Sequence, residues 1–432
     1  MRIRHFLQRA LPLAALLSAV LPAAAQDVED TSTAIFDPGF RTLKVSMDDD
    51  FFALPVLRPE TDDAVVISFD EMTSDPSYLQ YSIYQCDADW KPSQLIESEY
   101  LPGFNRGDVS DRALSSNTFQ FFTNYRITVP DPEGNPDMMP TQSGNYLLKV
   151  YREFEPEETL LQARFQVSEN TATISGEASA VTDLADGESQ QLELTVTLPS
   201  GLRVTDPYSQ ILVVTEQNGR PQSRRVTTRP LQIDHNRLIY RHNRDLLFPA
   251  GNEYRRFETV EALTPGMHTD SIRHIGRLYD AYLAKDERRA DRQYLYDQTQ
   301  RGRYLIRNGS ATDSDLGADY IDTYFTLDMP EVIGADIYLD GEFTNHRADP
   351  RFRLEYDRQE HLYRVAVPLK QGSYNYQYVA VPHGGDGSQA DPAVIEGNYP
   401  DTCNEYNVSV YLRLPGARTD RLLGTSTIIF QP

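Results

Sequence analysis

The residues best equipped for chemistry stand in one short run, Tyr84-Gln85-Cys86-Asp87-Ala88-Asp89-Trp90. If strand alternation carries through it, Asp87 and Asp89 share one face, with Cys86, Ala88 and Trp90 on the other. Two carboxylates on one face could divide general acid and base work, or begin a calcium ligand set. No third ligand or matching base accompanies them, and capping of the turn at Lys91-Pro92 accounts for both aspartates more simply. Upstream, Leu79, Tyr81 and Ile83 take the opposite parity to Tyr84, Cys86 and Trp90, so either both faces are buried or a bulge sits near Tyr84. On this reading Trp90 ends an apolar strand face and lies in a core.

Elsewhere the signatures of catalysis are missing. There is no G-x-S-x-G elbow, phosphate loop, dinucleotide-binding glycine pattern or H-E-x-x-H helix. The histidines from His235 to His383 show no ligand spacing, and neither cysteine has metal-site spacing around it. No catalytic, cofactor-binding or metal-binding residue is therefore expected, and no cofactor. Arg288, Arg289 and Arg292 are interleaved with Asp286, Glu287 and Asp291, the pattern of a solvated, ion-paired face. Tyr374, Tyr376 and Tyr378 form a one-faced ladder that could stack sugars but more simply packs a core. Cys86 and Cys403 fall in different expected domains; a bond between them would staple the first to the last, and two buried thiols are the plainer reading.

The chain that must position these residues begins with Arg2, Arg4 and Arg9, an apolar Leu11–Leu21 run and Ala23-Ala24-Ala25, a secretory signal expected to be removed after residue 25. No later stretch approaches the roughly 20 apolar residues of a membrane-spanning helix. With 41 basic and 64 acidic residues the net charge is -23, a field that disfavours nucleic acid and anionic membrane surfaces as partners.

Twenty-six tyrosines, 18 phenylalanines and 27 prolines favour strands with frequent breaks. Period-two faces recur: Val65, Ile67 and Phe69; Phe119, Phe121, Tyr125, Ile127 and Val129; Tyr146, Leu148 and Val150; Leu161, Ala163, Phe165 and Val167. Together they predict a first β-sandwich over residues 33–170. Leu192, Leu194, Val196 and Leu198, and Ile211–Val214 running to the hairpin signal Asn218-Gly219, open a middle β-rich unit over 171–310. Ile272 to Leu283 fits a helix face or irregular strands equally. After the loop Asn308–Gly317, alternation through Phe325, Leu339, Val367, Val410 and Phe430 predicts a C-terminal sandwich over 316–432. The fold class expected is all-β, tandem immunoglobulin-like or early-set sandwiches.

Specific stretches carry a family resemblance. CDADWKPSQL and ESEYLPGF between Cys86 and Phe104, SGNYLLKVY at Ser143–Tyr151, GNEYRRF at Gly251–Phe257, GRYLIR at Gly302–Arg307, LKQGSYNYQY at Leu369–Tyr378 and IEGNYPDTCNEY at Ile395–Tyr406 resemble the plug protein family of the type IX secretion system. One departure is Cys403, where an acidic residue is expected, which weakens any inherited pairing with Cys86. The C-terminal unit separately resembles early-set modules that bind glycogen, through ADIYLDGEF at Ala335–Phe343, but those modules stack sugars on tryptophan and the sole tryptophan here is Trp90, with His346 following the motif.

The plug resemblance implies a non-enzymatic, periplasmic protein held at the inner side of the outer membrane by its partner, the type IX translocon barrel. Its implied role is to seal the barrel's periplasmic opening, with no insertion into the membrane; the surface that touches the barrel is not marked in the sequence. The alternative is a carbohydrate-binding or glycan-processing accessory protein.

Overall fold

In the computed structural model, which describes residues 30–48, 50–59, 61–276 and 278–432, the alternating apolar runs become strands because each buries its period-two face. The expected signal at 1–25 lies outside the described residues. From Thr31 to Pro432 the chain forms one unit containing three two-sheet sandwiches.

In the first sandwich, Val65–Glu71 pairs with Phe40–Met47 and Thr123–Val129, and Asp111–Leu114 continues that sheet. The facing sheet sets Gly144–Arg152 between Leu79–Cys86 and Leu161–Val167. Ile67, Phe69, Tyr125, Tyr146, Leu148 and Phe165 fill the space between the sheets. Phe119 and Phe121 share parity with Tyr125, yet both are exposed and precede the strand. The reason is a distant carboxylate: Asp319 accepts the backbone N–H groups of Phe119 (2.7 Å) and Gln120 (3.1 Å), drawing this segment away from the sheet. Phe119 then packs on His274 and Tyr279.

In the middle sandwich, Ser189–Thr197 pairs with Thr173–Ser179, Arg237–Tyr240 and Leu247–Pro249. Its facing sheet runs Arg225–Thr227, Ile211–Gln217, Asn404–Leu412, Arg421–Phe430. The last two strands, expected to close a C-terminal unit, belong here, because Val408, Val410, Leu412 and Leu423 share one core with Leu192, Leu194 and Val196. Asn218 and Gly219 take the left-handed φ values of 53° and 66° expected of their hairpin signal.

The third sandwich lies in sequence between strands of the middle one. Gly372–Pro382 pairs with Arg255–Glu258, Tyr304–Ile306 and Ala335–Asp340. The facing sheet contains Thr269–Ile275, Leu278–Leu283, Tyr320–Asp328 and Leu362–Lys370. The ambiguous stretch from Ile272 is thus a β-hairpin, with Gly276 at a φ of 69° in its turn. Strands between 255 and 306, expected in the middle unit, are recruited here by the aromatic core of Phe257, Tyr304, Phe325, Tyr374 and Tyr376.

Candidate functional site at the junction of three sandwiches

The acid pair of the sequence does not converge. Strand Leu79–Cys86 stops before it, and a tight turn follows, in which Asp87 N–H donates to Lys91 O and Trp90 N–H to Asp87 O, each at 2.9 Å. Asp89 faces outward and pairs with Lys91 at 2.8 Å. Burial raises the Asp89 pKa, but the Lys91 contacts outweigh it and hold the carboxyl below its ordinary range. Asp87 turns the other way. Its Oδ1 accepts Asp420 N–H (2.9 Å), while Asp420 Oδ2 accepts Ala88 N–H (3.0 Å). Burial, and less strongly the Asp420 carboxylate, push the Asp87 pKa up. Capping is thus the role of both, but Asp87 caps the middle sandwich, not its own turn.

Trp90 is not in a core. It is half-buried, with a left-handed φ of 65°, and the Arg164 guanidinium lies 4.3 Å from its ring centre. The strand alternation that placed it inward fails because the chain has already turned at Asp87.

Tyr374, Tyr376 and Tyr378 are at most 1% exposed. Tyr376 and Tyr378 each donate from their hydroxyls to Asp286 Oδ2 at 2.7 Å, and Asp286 pairs with Arg255 at 2.7 Å. Burial works against the Asp286 charge, but Arg255 and His268 overcome it and hold the carboxyl well below the usual range. Arg288 and Arg292 make the expected surface pairs with Asp291 and Glu287. Arg289 instead reaches the buried Glu396 at 2.7 Å. Among the described residues Cys86 and Cys403 form no disulfide; burial, with Glu253 nearby, pushes the half-buried Cys403 thiol up to about 11.

What sequence reasoning missed is the seam between the sandwiches. First and third meet where Lys370 Nζ sits 2.7 Å from Asp70 Oδ2, both nearly inaccessible. Tyr320 OH (2.7 Å) and Asn124 Nδ2 (2.8 Å) also donate to Asp70. Lys44 spans the same seam, 2.9 Å from Glu342, with its own pKa lowered by burial. First and middle meet where Tyr411 OH donates to Asn145 Oδ1 and Gln166 Nε2 to Tyr411 OH, each at 2.7 Å. Middle and third meet at Arg220–Asp340 (3.3 Å) and Arg303–Glu405 (2.5 Å). A partial signal for these pairs did exist: Asp70, Asp340 and Lys370 each stand at or next to the end of a strand, directly after an apolar residue, Phe69, Leu339 or Leu369.

The three sandwiches enclose a cavity of about 230 Å³. The first contributes Trp90 and Arg164, the middle Glu216 and Asn407, and the third Arg301 and His346. Among the described residues 14 non-glycine residues have left-handed backbone, and five of them, Trp90, Asn218, Arg301, Asn345 and His346, line this cavity. Asn and His adopt such backbone readily in turns, as Asn218 does in its hairpin, but it is costly for the bulky Trp90 and Arg301. Burial raises the Glu216 pKa, countered in part by Arg164, Arg224 and His346.

Comparison with known proteins agrees with this architecture. The family profile described as type 9 secretion system plug protein 1st domain matches residues 40–169, the greater part of the first sandwich. The crystal structure of a hypothetical protein from Parabacteroides merdae ATCC 43184 is 35% identical, covering 93% of this chain and 99% of that one with a TM-score of 0.88. A search of curated proteins finds no match. The first-sandwich match covers the same segments, Cys86–Phe104 and Ser143–Tyr151, that carry the resemblance in sequence, and residues 40–169 of the chain are a first domain of the type IX secretion system plug protein family.

Proposed function

We propose that the protein is a periplasmic plug that binds the outer-membrane translocon barrel of type IX secretion and seals its periplasmic opening. The observation that carries this reading is the plug-domain match over residues 40–169. The buried seams support it. Three sandwiches cross-linked by Asp70–Lys370, Lys44–Glu342 and Arg303–Glu405 make a stiff body that loses little conformational entropy on docking. A channel wide enough for folded proteins leaks small solutes unless something closes it. Without nucleotide in the periplasm, opening follows from competition between binding equilibria, in which cargo or another partner displaces the plug.

The alternative, a carbohydrate-binding or glycan-processing accessory, would use the tyrosine ladder as its stacking platform. The tyrosine ladder is instead sealed in the third core, so it lends that reading no support. Affinity purification of the tagged protein from cross-linked native membranes tests the proposal. A very large outer-membrane barrel protein is the expected partner, and recovery of the protein without any barrel contradicts it.

A further inference from the structure

The cavity at the three-sandwich junction contains polar groups that neither the fold nor the plug role uses. Among the described residues no donor hydrogen-bonds the Glu216 carboxylate. Asn407 and Arg301 line the same cavity, and each keeps one buried nitrogen, Nδ2 and Nε, without an acceptor. Leaving such groups unmatched costs stability. An acceptor lacking donors beside donors lacking acceptors is complementary to hydroxyl groups, which donate and accept at once.

The charge balance narrows the class further. Lys44 pairs with Glu342, and Arg301 and Arg303 both face Glu405, so most of the charge around the cavity is already neutralised inside the protein. Glu216 in turn has Arg164 and Arg224 in its field. A cationic ligand would meet these guanidinium groups, and an anionic one would meet Glu216; a neutral ligand meets neither penalty. The wall also carries Trp90, an amphipathic ring suited to the apolar face of a sugar. At about 230 Å³ the space lies just below the roughly 300–1,000 Å³ of pockets that take drug-sized ligands.

We propose that this cavity is a binding site for a neutral polyhydroxylated ligand the size of one or two sugar rings, held by Glu216, Asn407 and Arg301 against Trp90. The proposal does not depend on the plug reading. Because all three sandwiches contribute a wall, occupancy also ties them together.

The test uses the full chain and its single tryptophan. A panel of neutral mono- and disaccharides, including glucose, galactose, mannose, N-acetylglucosamine and maltose, is titrated while Trp90 emission is followed, with saturation-transfer NMR as a second readout. At least one sugar is expected to shift the emission saturably. Glu216→Gln, nearly isosteric, is expected to weaken that sugar about tenfold or more while the protein stays folded, since a hydrogen bond to a charged group is lost. Asn407→Ala should weaken the same sugar. Absence of saturable binding across the panel overturns the proposal, as does a sugar whose affinity neither substitution changes. Stronger binding of glucuronate or glucosamine than of glucose would overturn the neutral-ligand assignment.

Discussion

Lys370 and Asp70 lie 300 residues apart in sequence and 2.7 Å apart in space, joining the third sandwich to the first in a seam closed to solvent. Tyr320 and Asn124 satisfy Asp70 further, and the Lys370 ammonium also lies 4.0 Å from the centre of the Phe122 ring. Desolvating two charges is costly, and their geometry repays it only while both are present.

Lys370→Met is therefore expected to destabilise the protein by about 3–5 kcal/mol, because it strands a buried carboxylate. The double variant Lys370→Met with Asp70→Leu should recover part of that loss. Urea unfolding of the four proteins of the cycle measures it. Equal stability of wild type and the single variant would show that the seam does not hold the sandwiches together.

Trp90→Ala is expected to cost only about 1–2 kcal/mol, since the ring is half-buried and its defined partner is the Arg164 guanidinium. A core tryptophan would cost about 3–5 kcal/mol. Thermal unfolding distinguishes the two, and acrylamide should quench Trp90 emission in the wild type.

That contrast shows where the fold was legible and where it was not. Leu192, Leu194 and Val196 declare their face because burial follows a period of two along that stretch. Val65, Ile67 and Phe69 declare theirs because the apolar residues alternate, although Val66 and Asp70 on the opposite face are buried as well. Trp90 and Phe119 do not, because backbone bonds decide their direction: the turn at Asp87 for one, and the Asp319 carboxylate 200 residues away for the other. The strand holding Val408 and Val410 was legible as a strand, but its pairing with Ile211–Gln217 is a non-local choice that alternation does not encode. The junction was least legible, since Glu216, Asn407 and Arg301 come together only through the packing of whole sandwiches.

Acid should loosen the structure. Asp286 and Asp340 have depressed folded pKa values, because their Arg, His and hydrogen-bond partners outweigh burial. The stability they contribute is present above the unfolded aspartate value near 4 and is lost as pH falls through the folded values. Tm measured between pH 7 and pH 3 should fall on the acid side, and Asp286→Asn should flatten that dependence while lowering Tm at neutral pH.

Glu216 has the opposite sign. Burial raises its folded pKa, so its ionisation opposes folding: its contribution is most favourable below the unfolded glutamate value near 4.3 and is lost as pH rises through the folded one. Glu216→Gln should raise Tm at pH 7, with the gain vanishing near pH 4. A lower Tm at pH 7 would mean that the carboxylate has a stabilising partner.

The central claim is that this chain closes a wide pore, and the permeability of the outer membrane tests it most directly. Deletion of the chain should leave type IX secretion largely intact while admitting large hydrophilic antibiotics that intact cells exclude, and Lys370→Met should leak in proportion to the folded protein it loses. Unchanged antibiotic uptake in the deletion strain, with its translocons free of cargo and of any substitute plug, would contradict the account.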